Sequence, residues 1–485
     1  MKTVFEKSKS GRRGCFFPEE HFCPNDFQIP AKDLMRQNPA EFPELTEGEV
    51  MRHYTRLASM NFSVDANFYP LGSCTMKYNP RINEETASLP SFTGLHPLAD
   101  PEDSQGTLEI IYRSAALLSE ITGMEDFCLQ PSAGAHGELA GMMLIKAYHE
   151  DRGDTKRKRV LVPDSAHGTN PASAALCGYS IATVPSSADG EVSIKDLEEM
   201  MGDDVAGIML TNPNTLGIFE SRISEISSIV HKGGGLLYYD GANLNAVLGK
   251  CRPGDMGFDV VHVNLHKTFS TPHGGGGPGS GPIGVSKRLL SYLPGPVISE
   301  KGGRYILSDG PEKSIGRITG FYGNIGVIIR AFSYILSMGN EGLKAVGENA
   351  VLNANYLLNR LKGLYSIPYG EKCMHEFVVS GSPFKEKGIS ILNIAKRIID
   401  SGMHPPTVYF PLIVKEAMMI EPTETESLET LDEFVGVMAD IAAEADSDPE
   451  KITAAPLNTP VKRLDEARAV KKPVLKYIFP KAGEG

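Results

Sequence analysis

Short apolar runs rich in β-branched and aromatic residues alternate with helix-patterned stretches through the middle of the chain, and this alternation constrains the fold most. Strands separated by helices build a mostly parallel sheet. The runs are apolar almost throughout, as expected when helices cover both faces of a sheet. They are RVLVP (159–163), IATVP (181–185), GIMLT (207–211), LLYYD (236–240) and VVHVNL (260–265). We therefore expect an α/β fold that binds ligands at the carboxyl ends of these strands.

The length of 485 residues exceeds the roughly 250–300 residues at which a single core stops growing, so we expect more than one domain. A small α+β domain is indicated by the run FVVSG (377–381) and by helical patterns at 390–402 and 428–445. The expected divisions are an N-terminal arm and loops (1–104), a large α/β domain (105–320), a linking helix with the small C-terminal domain (321–446) and an extended tail (447–485).

Composition excludes several classes of function. With 48 basic against 60 acidic residues and a net charge of −12, a nucleic-acid partner is not expected. No apolar run reaches the roughly 18 residues of a membrane span, and the N-terminus lacks the apolar core of a secretory signal. The seven cysteines are odd in number and fit no metal spacing, so neither a disulfide framework nor a metal site is expected. We expect a cytoplasmic protein, although composition leaves a transit peptide open.

Lys267 is the residue on which the functional prediction depends. It follows an apolar strand and precedes a glycine-rich loop within VNLHKTFSTPHGGGGPGSGP (263–282). Lysine is seldom fully buried, whereas an amine in a dry pocket becomes a nucleophile towards aldehydes. The alternative is an ordinary surface lysine, and three further features bear on the choice.

These features lie at the ends of other predicted elements. Asp240 ends a strand, where a carboxylate can pair with a protonated pyridine nitrogen; its alternative is a turn residue before a glycine. The loop QPSAGAHGE (130–138) leads into a helix whose N-terminal amides can hold a phosphate, unless Ser132 merely caps that helix. His167, after the next strand, can stack on a pyridine ring or be simply exposed.

In chain order, these features supply a phosphate anchor, a ring stacker, a pyridine partner and a Schiff-base lysine. That order resembles the aminotransferase-like family of pyridoxal phosphate enzymes, known as fold type I or aspartate aminotransferase-like. The resemblance implies pyridoxal 5'-phosphate bound to Lys267. It also implies an interlocked dimer of large and small domains, with the cofactor near their border.

Longer motifs resemble the P-protein of the glycine cleavage system, the decarboxylating glycine dehydrogenase, over nearly the whole chain. Full-length P-proteins are much longer, whereas a split form has two half-length subunits, of which only one keeps the lysine. The resemblance is therefore to subunit 2 of the split form. The motifs are YPLGSCTMKYNP (69–80), PSAGAHGE (131–138), HGTNPASA (167–174), LTNPNTLGIFE (210–220), DGANLNA (240–246), NLHKTFSTPHGGGGPG (264–279) and MIEPTETES (419–427).

The activity that this resemblance implies is decarboxylation of glycine with transfer of the aminomethyl group to the lipoyl arm of H-protein. The implied partners are a separate subunit 1, in a two-plus-two heterotetramer, and lipoylated H-protein. Lys267, Asp240 and His167 are the implied catalytic residues, with His167 stacked on one face of the cofactor ring and Ala242 on the other.

The resemblance also implies further contacts to the cofactor. The phosphate is expected to be held by Ser132, Ala133, Gly134 and His266, with His136 as a rival for phosphate contact or stacking. Thr211 and Asn212 follow a predicted strand, and a polar loop at that place often approaches the cofactor hydroxyl.

Some motifs and functions stay open at this point. Cys74 is either a redox or substrate-side group or a small buried hydrophobe. The Gly274–Gly277 run either admits a lipoyl arm or is a plain linker. MIEPTETES is explained as a strand exit followed by a Ser/Thr helix cap, without catalysis. The alternative functions are another fold type I decarboxylation or transamination, and a non-enzymatic structural subunit.

Overall fold

The computed structural model describes residues 2–14, 32–38, 40–274 and 279–478. The chain divides into two compact units, one made of Met1–Ser63 with Arg463–Gly485 and the other of Val64–Lys462. All three sheets described below lie in the second unit. The domain boundaries expected after residues 104, 320 and 446 remain predictions.

The large sheet has the strand order β1-β7-β6-β5-β4-β2-β3. Strand β7 runs antiparallel to β1 and β6, and the other neighbours are parallel. The expected α/β fold with a mostly parallel central sheet is therefore confirmed. Its strands are β1 (Asp126–Cys128), β2 (Arg159–Pro163), β3 (Ser180–Val184), β4 (Val205–Thr211), β5 (Leu236–Gly241), β6 (Val260–Val263) and β7 (Ile283–Val285).

Helices begin where the sequence supplies capping side chains. Thr46 and Ser390 each start a helix with a reciprocal capping box, and Ser427 accepts a hydrogen bond from the N–H of Thr430 at the start of α13 (Leu428–Ser447). The cap expected in MIEPTETES is therefore confirmed. No helix in the described ranges is long and apolar enough to cross a membrane.

The remaining bounds are as follows. The other helices are α1 (Val4–Lys7), α2 (Glu47–Ala58), α3 (Arg81–Ala87), α4 (Pro90–Thr93), α5 (Gln105–Thr122), α6 (Gly134–Asp151), α7 (Thr169–Leu176), α8 (Ile194–Met200), α9 (Ile223–Lys232), α10 (Leu265–Thr268), α11 (Ile325–Leu361), α12 (Ile391–Asp400), α14 (Pro449–Ala454) and α15 (Glu466–Lys471). The 3-10 helices are Lys32–Leu34, Leu244–Ala246, Pro253–Met256, Lys287–Tyr292 and Ser382–Lys387. Helix α11 breaks at Gly339, which has a φ of 59°.

Apolar side chains cover both faces of the large sheet. Along β4, Ile208 and Leu210 join one hydrophobic cluster, while Met209 between them joins the cluster on the opposite face. Successive side chains of a strand point to opposite faces, so a strand buried on both must be apolar throughout. This explains why the sequence pattern revealed β4.

The smaller sheet builds a second core. Its strands β10 (Phe377–Ser380), β11 (Thr407–Val408) and β12 (Ala417–Ile420) are antiparallel in the order β10-β12-β11. Val379 of β10 packs in one cluster with Ile394 of α12 and Phe434 of α13. A separate hairpin pairs β8 (Val297–Lys301) with β9 (Arg304–Ser308).

Candidate active site

Three adjacent strands carry polar side chains side by side at their carboxyl ends. Thr211 on β4 is the register partner of Asp240 on β5, which is in turn the partner of His262 on β6. Thr211 and Asp240 line a cavity of about 180 Å³ at this edge of the sheet. The residues expected at the site that line this cavity are Gly134, His167, Thr211, Asp240, Ala242, His266 and Lys267.

Lys267 enters the cavity from the short helix α10, directly after β6. Its Nζ donates a hydrogen bond to the backbone carbonyl of Ser73 at 2.7 Å, and the residue is half-buried. No carboxylate among the described residues forms an ion pair with it. The amine is therefore oriented by a neutral carbonyl and not paired with a carboxylate of the described residues.

Asp240 is buried and held by several donors. Its Oδ2 accepts from Asn170 Nδ2 at 3.0 Å and its Oδ1 accepts from the Ala242 N–H at 3.0 Å, while His262 Nε2 lies 3.4 Å from Oδ1. Burial alone raises the pKa of Asp240, but His262, the Asn170 amide and the Ala242 N–H hold that pKa below its usual value. The side chain therefore remains a carboxylate in a dry site.

A second carboxylate, Glu138, lies next to Asp240. It accepts hydrogen bonds from Thr169 Oγ1 at 2.8 Å and from Asn170 Nδ2 at 3.0 Å, so Asn170 bridges the two carboxyl groups. Burial and then the charge of Asp240 raise the pKa of Glu138 to about 7. Thr169 Oγ1 also lies 2.7 Å from Nδ1 of His167, which links this network to the histidine at the cavity mouth.

Helix α6 points its N-terminus into the cavity. It begins at Gly134, and its first residue is preceded by Ala133, which makes no side-chain cap. The alternative in which Ser132 caps the helix is wrong, because Ser132 is exposed and its N–H and Oγ face Nδ1 of His136 at 3.3 and 3.4 Å. Uncapped amides and the positive end of a helix dipole attract anions, and both are present at this helix start.

Gly134 allows the helix start to approach the end of β6 closely. A Cβ at this position would stand 2.2 Å from Oδ1 of Asn264. Nearby His266 accepts a hydrogen bond from the Ser280 N–H at 3.3 Å, and burial, His273 and Lys267 lower the pKa of His266 to about 3. His266 is therefore a neutral imidazole beside the helix terminus.

Sequence comparisons decide the family. Residues 20–302 match the family model described as glycine cleavage system P-protein, and residues 346–463 match the one described as the C-terminal domain of glycine dehydrogenase. The chain belongs to the glycine cleavage system P-protein family. The resemblance found in the sequence motifs is thereby confirmed.

P-protein relatives match this chain from end to end. It is 56% identical over 478 residues to a protein of Caldanaerobacter subterraneus subsp. tengcongensis, covering 98% of each chain. It is likewise 56% identical over 476 residues to one of Bacillus velezensis, covering 98% of this chain and 97% of the relative. Both are named probable glycine dehydrogenase (decarboxylating) subunit 2.

Solved structures share the fold of this P-protein. An inhibitor-bound glycine decarboxylase (P-protein) of the glycine cleavage system superposes with a TM-score of 0.71 at 22% identity, over 85% of this chain and 93% of that one. Lactobacillus brevis glutamate decarboxylase gives a TM-score of 0.65 at 12% identity, over 85% and 96% of the two chains. The fold type I prediction is confirmed.

The cofactor of this P-protein is pyridoxal 5'-phosphate, and the residues present fit it. Buried polar atoms in or beside the cavity have no hydrogen-bond partner among the described residues: Thr211 Oγ1, Asn264 Oδ1 and Ser280 Oγ. Buried polar atoms are normally paired, so these atoms favour a polar ligand. The amine, the ionised carboxylate and the uncapped helix N-terminus match its aldehyde, pyridine nitrogen and phosphate.

Other residues expected at this P-protein site lie beside the cavity or are only partly described. Ser132, Ala133 and His136 do not line the cavity, although they sit at the same helix start. Cys74 is half-buried next to Ser73, burial raises its pKa, and its role stays open. In the Gly274–Gly277 run, Gly275 to Gly277 lie outside the described residues.

The sequence prediction missed several residues of the P-protein site. Glu138 lies among small residues in the PSAGAHGE motif. A charged side chain in such a run was a signal that the residue is buried for a specific role. Asn170 lies three residues after His167, in HGTNPASA. Ser73 had no comparable signal, because its contact with Lys267 spans 194 positions of the chain.

Proposed function

We propose that this chain is the pyridoxal-phosphate-bearing subunit of a split glycine dehydrogenase (decarboxylating). It removes carbon dioxide from glycine and transfers the aminomethyl group to the lipoyl arm of H-protein. One observation carries the proposal: Lys267 and Asp240 face a single cavity at the strand ends of a chain that is 56% identical to relatives named for this activity.

Each residue of the cavity then has a defined task. When bound, pyridoxal phosphate supplies an aldehyde that bonds to amines and a ring that withdraws electrons from a breaking bond. Lys267 holds the aldehyde group, with its amine oriented by the Ser73 carbonyl. Asp240, kept ionised, holds a proton at the pyridine nitrogen. His167 and Ala242, which both line the cavity, would bound the two faces of the ring.

The start of α6 is the part of the site that we assign to the phosphate group. The uncapped amides at the start of α6 would bind the phosphate, and Gly134 allows this helix start to lie close to the end of β6. Neutral His266 adds a polar contact, and Thr211 approaches the hydroxyl of the ring. Ser132, Ala133 and His136 form the outer edge of this anion site.

The cavity favours decarboxylation over transamination. The described residues that line it include no arginine, whereas an aminotransferase is expected to hold the substrate carboxylate with one. A tight clamp on that carboxylate would stabilise the ground state more than the transition state for loss of carbon dioxide.

Partner proteins follow from the names of the relatives. The designation subunit 2 implies a partner subunit in a split P-protein. We extend this to a two-plus-two heterotetramer with subunit 1 and to docking of lipoylated H-protein near the cavity. A cytoplasmic location is proposed from the composition.

Exchange of labelled bicarbonate into the carboxyl group of glycine tests the function. The assay combines this chain with subunit 1, pyridoxal phosphate and lipoylated H-protein. We expect exchange that requires all four components. Absence of exchange with glycine, or exchange with a larger amino acid in its place, contradicts the proposal.

A matched pair of lysine variants controls the assay. Lys267→Ala removes the proposed cofactor attachment, whereas Lys287→Ala changes an exposed lysine outside the cavity. We expect the first to abolish exchange and the second to retain it. Equal activity of the two variants would refute the role of Lys267.

A further inference from the structure

Two glutamates of the smaller sheet meet beneath the loop that contacts Lys267. Glu376 directly precedes β10 and Glu421 directly follows β12. Because Phe377 and Ile420 are register partners in this antiparallel pair, the two glutamates lie side by side. Both are fully buried. We call Glu376 and Glu421 the glutamate clamp.

The glutamate clamp holds two backbone amides of the loop. Glu376 Oε2 accepts from the Ser73 N–H at 2.7 Å, and Glu421 Oε2 accepts from the Thr75 N–H at 3.0 Å. Ser73 and Thr75 have φ angles of 65° and 46°, which residues with a Cβ rarely adopt. Such a conformation persists only where its surroundings hold it, and these two contacts do so.

The clamped loop in turn holds Lys267. The Ser73 residue that donates its N–H to Glu376 accepts from Lys267 Nζ through its carbonyl at 2.7 Å. Asn243, three residues after Asp240, donates through Nδ2 to the other oxygen of Glu376 at 3.1 Å. The smaller sheet is thus connected by hydrogen bonds to both the lysine and the loop that follows the carboxylate.

Two carboxyl groups in one dry site do not both ionise, so the clamp retains a proton. Burial and then Glu421 raise the pKa of Glu376, and burial raises the pKa of Glu421 to about 7. The other titratable groups facing the pair are His375 beside Glu376, Cys74 and Lys267 from the active-site loops, and Glu424 after β12.

We propose that Glu376 and Glu421 are positioning residues, which hold the Ser73–Thr75 loop so that the Ser73 carbonyl sets the position of the Lys267 amine. This inference rests on the proposed attachment of the cofactor to Lys267. It makes the smaller sheet a determinant of the chemistry at the edge of the larger one.

A bound cation is the competing explanation for the cluster. His375, Glu376 and Glu421 offer donor atoms within 4.8 Å of one another, and neither nitrogen of His375 has a hydrogen-bond partner among the described residues. Three of the four carboxylate oxygens, however, already accept N–H groups from Ser73, Thr75 and Asn243. These contacts favour the clamp.

The test compares Glu376→Gln and Glu421→Gln with Glu220→Gln in the assembled holoenzyme. Glu220 is a matched control, because it is buried, accepts from the Val192 N–H at 3.0 Å and has a pKa raised by burial to about 7, yet does not line the Lys267 cavity. The readout is the pH midpoint of the visible absorption band of the bound cofactor. We expect it to shift by roughly one pH unit in the clamp variants only.

Hydrogen exchange of the loop provides a readout that needs no cofactor. In the full chain without pyridoxal phosphate, Glu376→Gln, Glu421→Gln and Glu376→Ala are expected to lose amide protection over residues 71–77, while Glu220→Gln keeps it. Borohydride trapping on wild-type Lys267 is performed first, because failure of trapping refutes the proposed function itself.

Three results overturn the clamp with trapping intact. The first is an unchanged pH midpoint of the absorption band together with unchanged amide protection of the loop in both clamp variants. The second is a shift of the pH midpoint in Glu220→Gln equal to that in the clamp variants. The third is a stoichiometric metal ion in the purified holoenzyme that is lost in Glu421→Gln. The last result would assign the cluster to a cation.

Discussion

Two lysines beside the same loop have opposite surroundings. Lys77 is buried, and its Nζ pairs with Glu424 at 2.7 Å and donates to the carbonyl of Thr268 at 2.7 Å. Lys267, the residue before Thr268, is half-buried and donates to the Ser73 carbonyl. Burial lowers the pKa of Lys77, but the charge of Glu424 raises it, and the net pKa lies above its usual value. The carboxylate therefore keeps Lys77 charged.

The difference shows that partners, more than burial, decide what a lysine in this fold can do. An ammonium locked to a carboxylate is a structural element, because removing its proton would leave a buried charge unpaired. An amine held by a neutral carbonyl can lose its proton and bond to an aldehyde. Lys77 anchors the loop, whereas Lys267 is the lysine to which the proposed function gives the chemistry.

The largest expected effect separates the two lysines in activity. Lys267→Ala should reduce bicarbonate exchange by roughly 10³-fold or more, because the nucleophile that holds the cofactor is lost. Its unfolding midpoint in urea should stay close to that of wild type, since the lysine makes no described ion pair. A large loss of stability with activity retained would reverse the comparison.

Lys77→Met should show the reverse profile. It leaves Glu424 buried without its cation, which typically costs about 3–5 kcal/mol in the free energy of unfolding. Urea unfolding of the purified chain measures this cost. The double variant Lys77→Met with Glu424→Gln should recover much of it, and a double variant no more stable than the single one would contradict the ion-pair account.

Asp240→Asn sharpens the comparison by leaving Lys267 in place. The cofactor should still attach to Lys267, but the exchange rate should fall by roughly 10²-fold or more, because no carboxylate holds the proton at the pyridine nitrogen. Mass spectrometry after borohydride reduction reports attachment, and the exchange assay reports rate. Equal loss of both would make Asp240 a binding group only.

The smallest expected effect concerns Glu138, a buried carboxyl that, unlike Glu424, has no lysine partner among the described residues. Its pKa is raised from 4.5 to about 7 in the folded chain, so its ionisation destabilises the fold as the pH rises between those values. Glu138→Gln removes that penalty. The free energy of unfolding of this variant, measured in urea relative to wild type, should rise by roughly 1–3 kcal/mol from pH 5 to pH 8. A constant difference would show that Glu138 ionises freely.

Local sequence pattern revealed much of the large sheet. The runs at 159–163 and 236–240 match β2 and β5 to within one residue, because strands buried on both faces must be apolar. The three-residue strands β1 and β7 were missed, since so short a run carries no detectable period. The order of the strands in the sheet could not be predicted from the sequence either, because it depends on the packing of distant segments.

The same limit applies to the candidate site: residues at the ends of elements were predicted, and residues with distant partners were not. Lys267, Asp240 and Gly134 were found because each stands where a strand ends or a helix begins. Glu376 and Glu421 were missed because their partners Ser73 and Thr75 lie 303 and 346 positions away. Only the folded chain brings such pairs together.

Borohydride trapping with peptide mass mapping tests the central claim most directly. Purified chain is mixed with pyridoxal phosphate, reduced, digested and mapped. The account predicts a single phosphopyridoxyl adduct on the peptide that contains Lys267 and none on the peptide that contains Lys77. An adduct on Lys77, or the absence of any adduct with saturating cofactor, would contradict it.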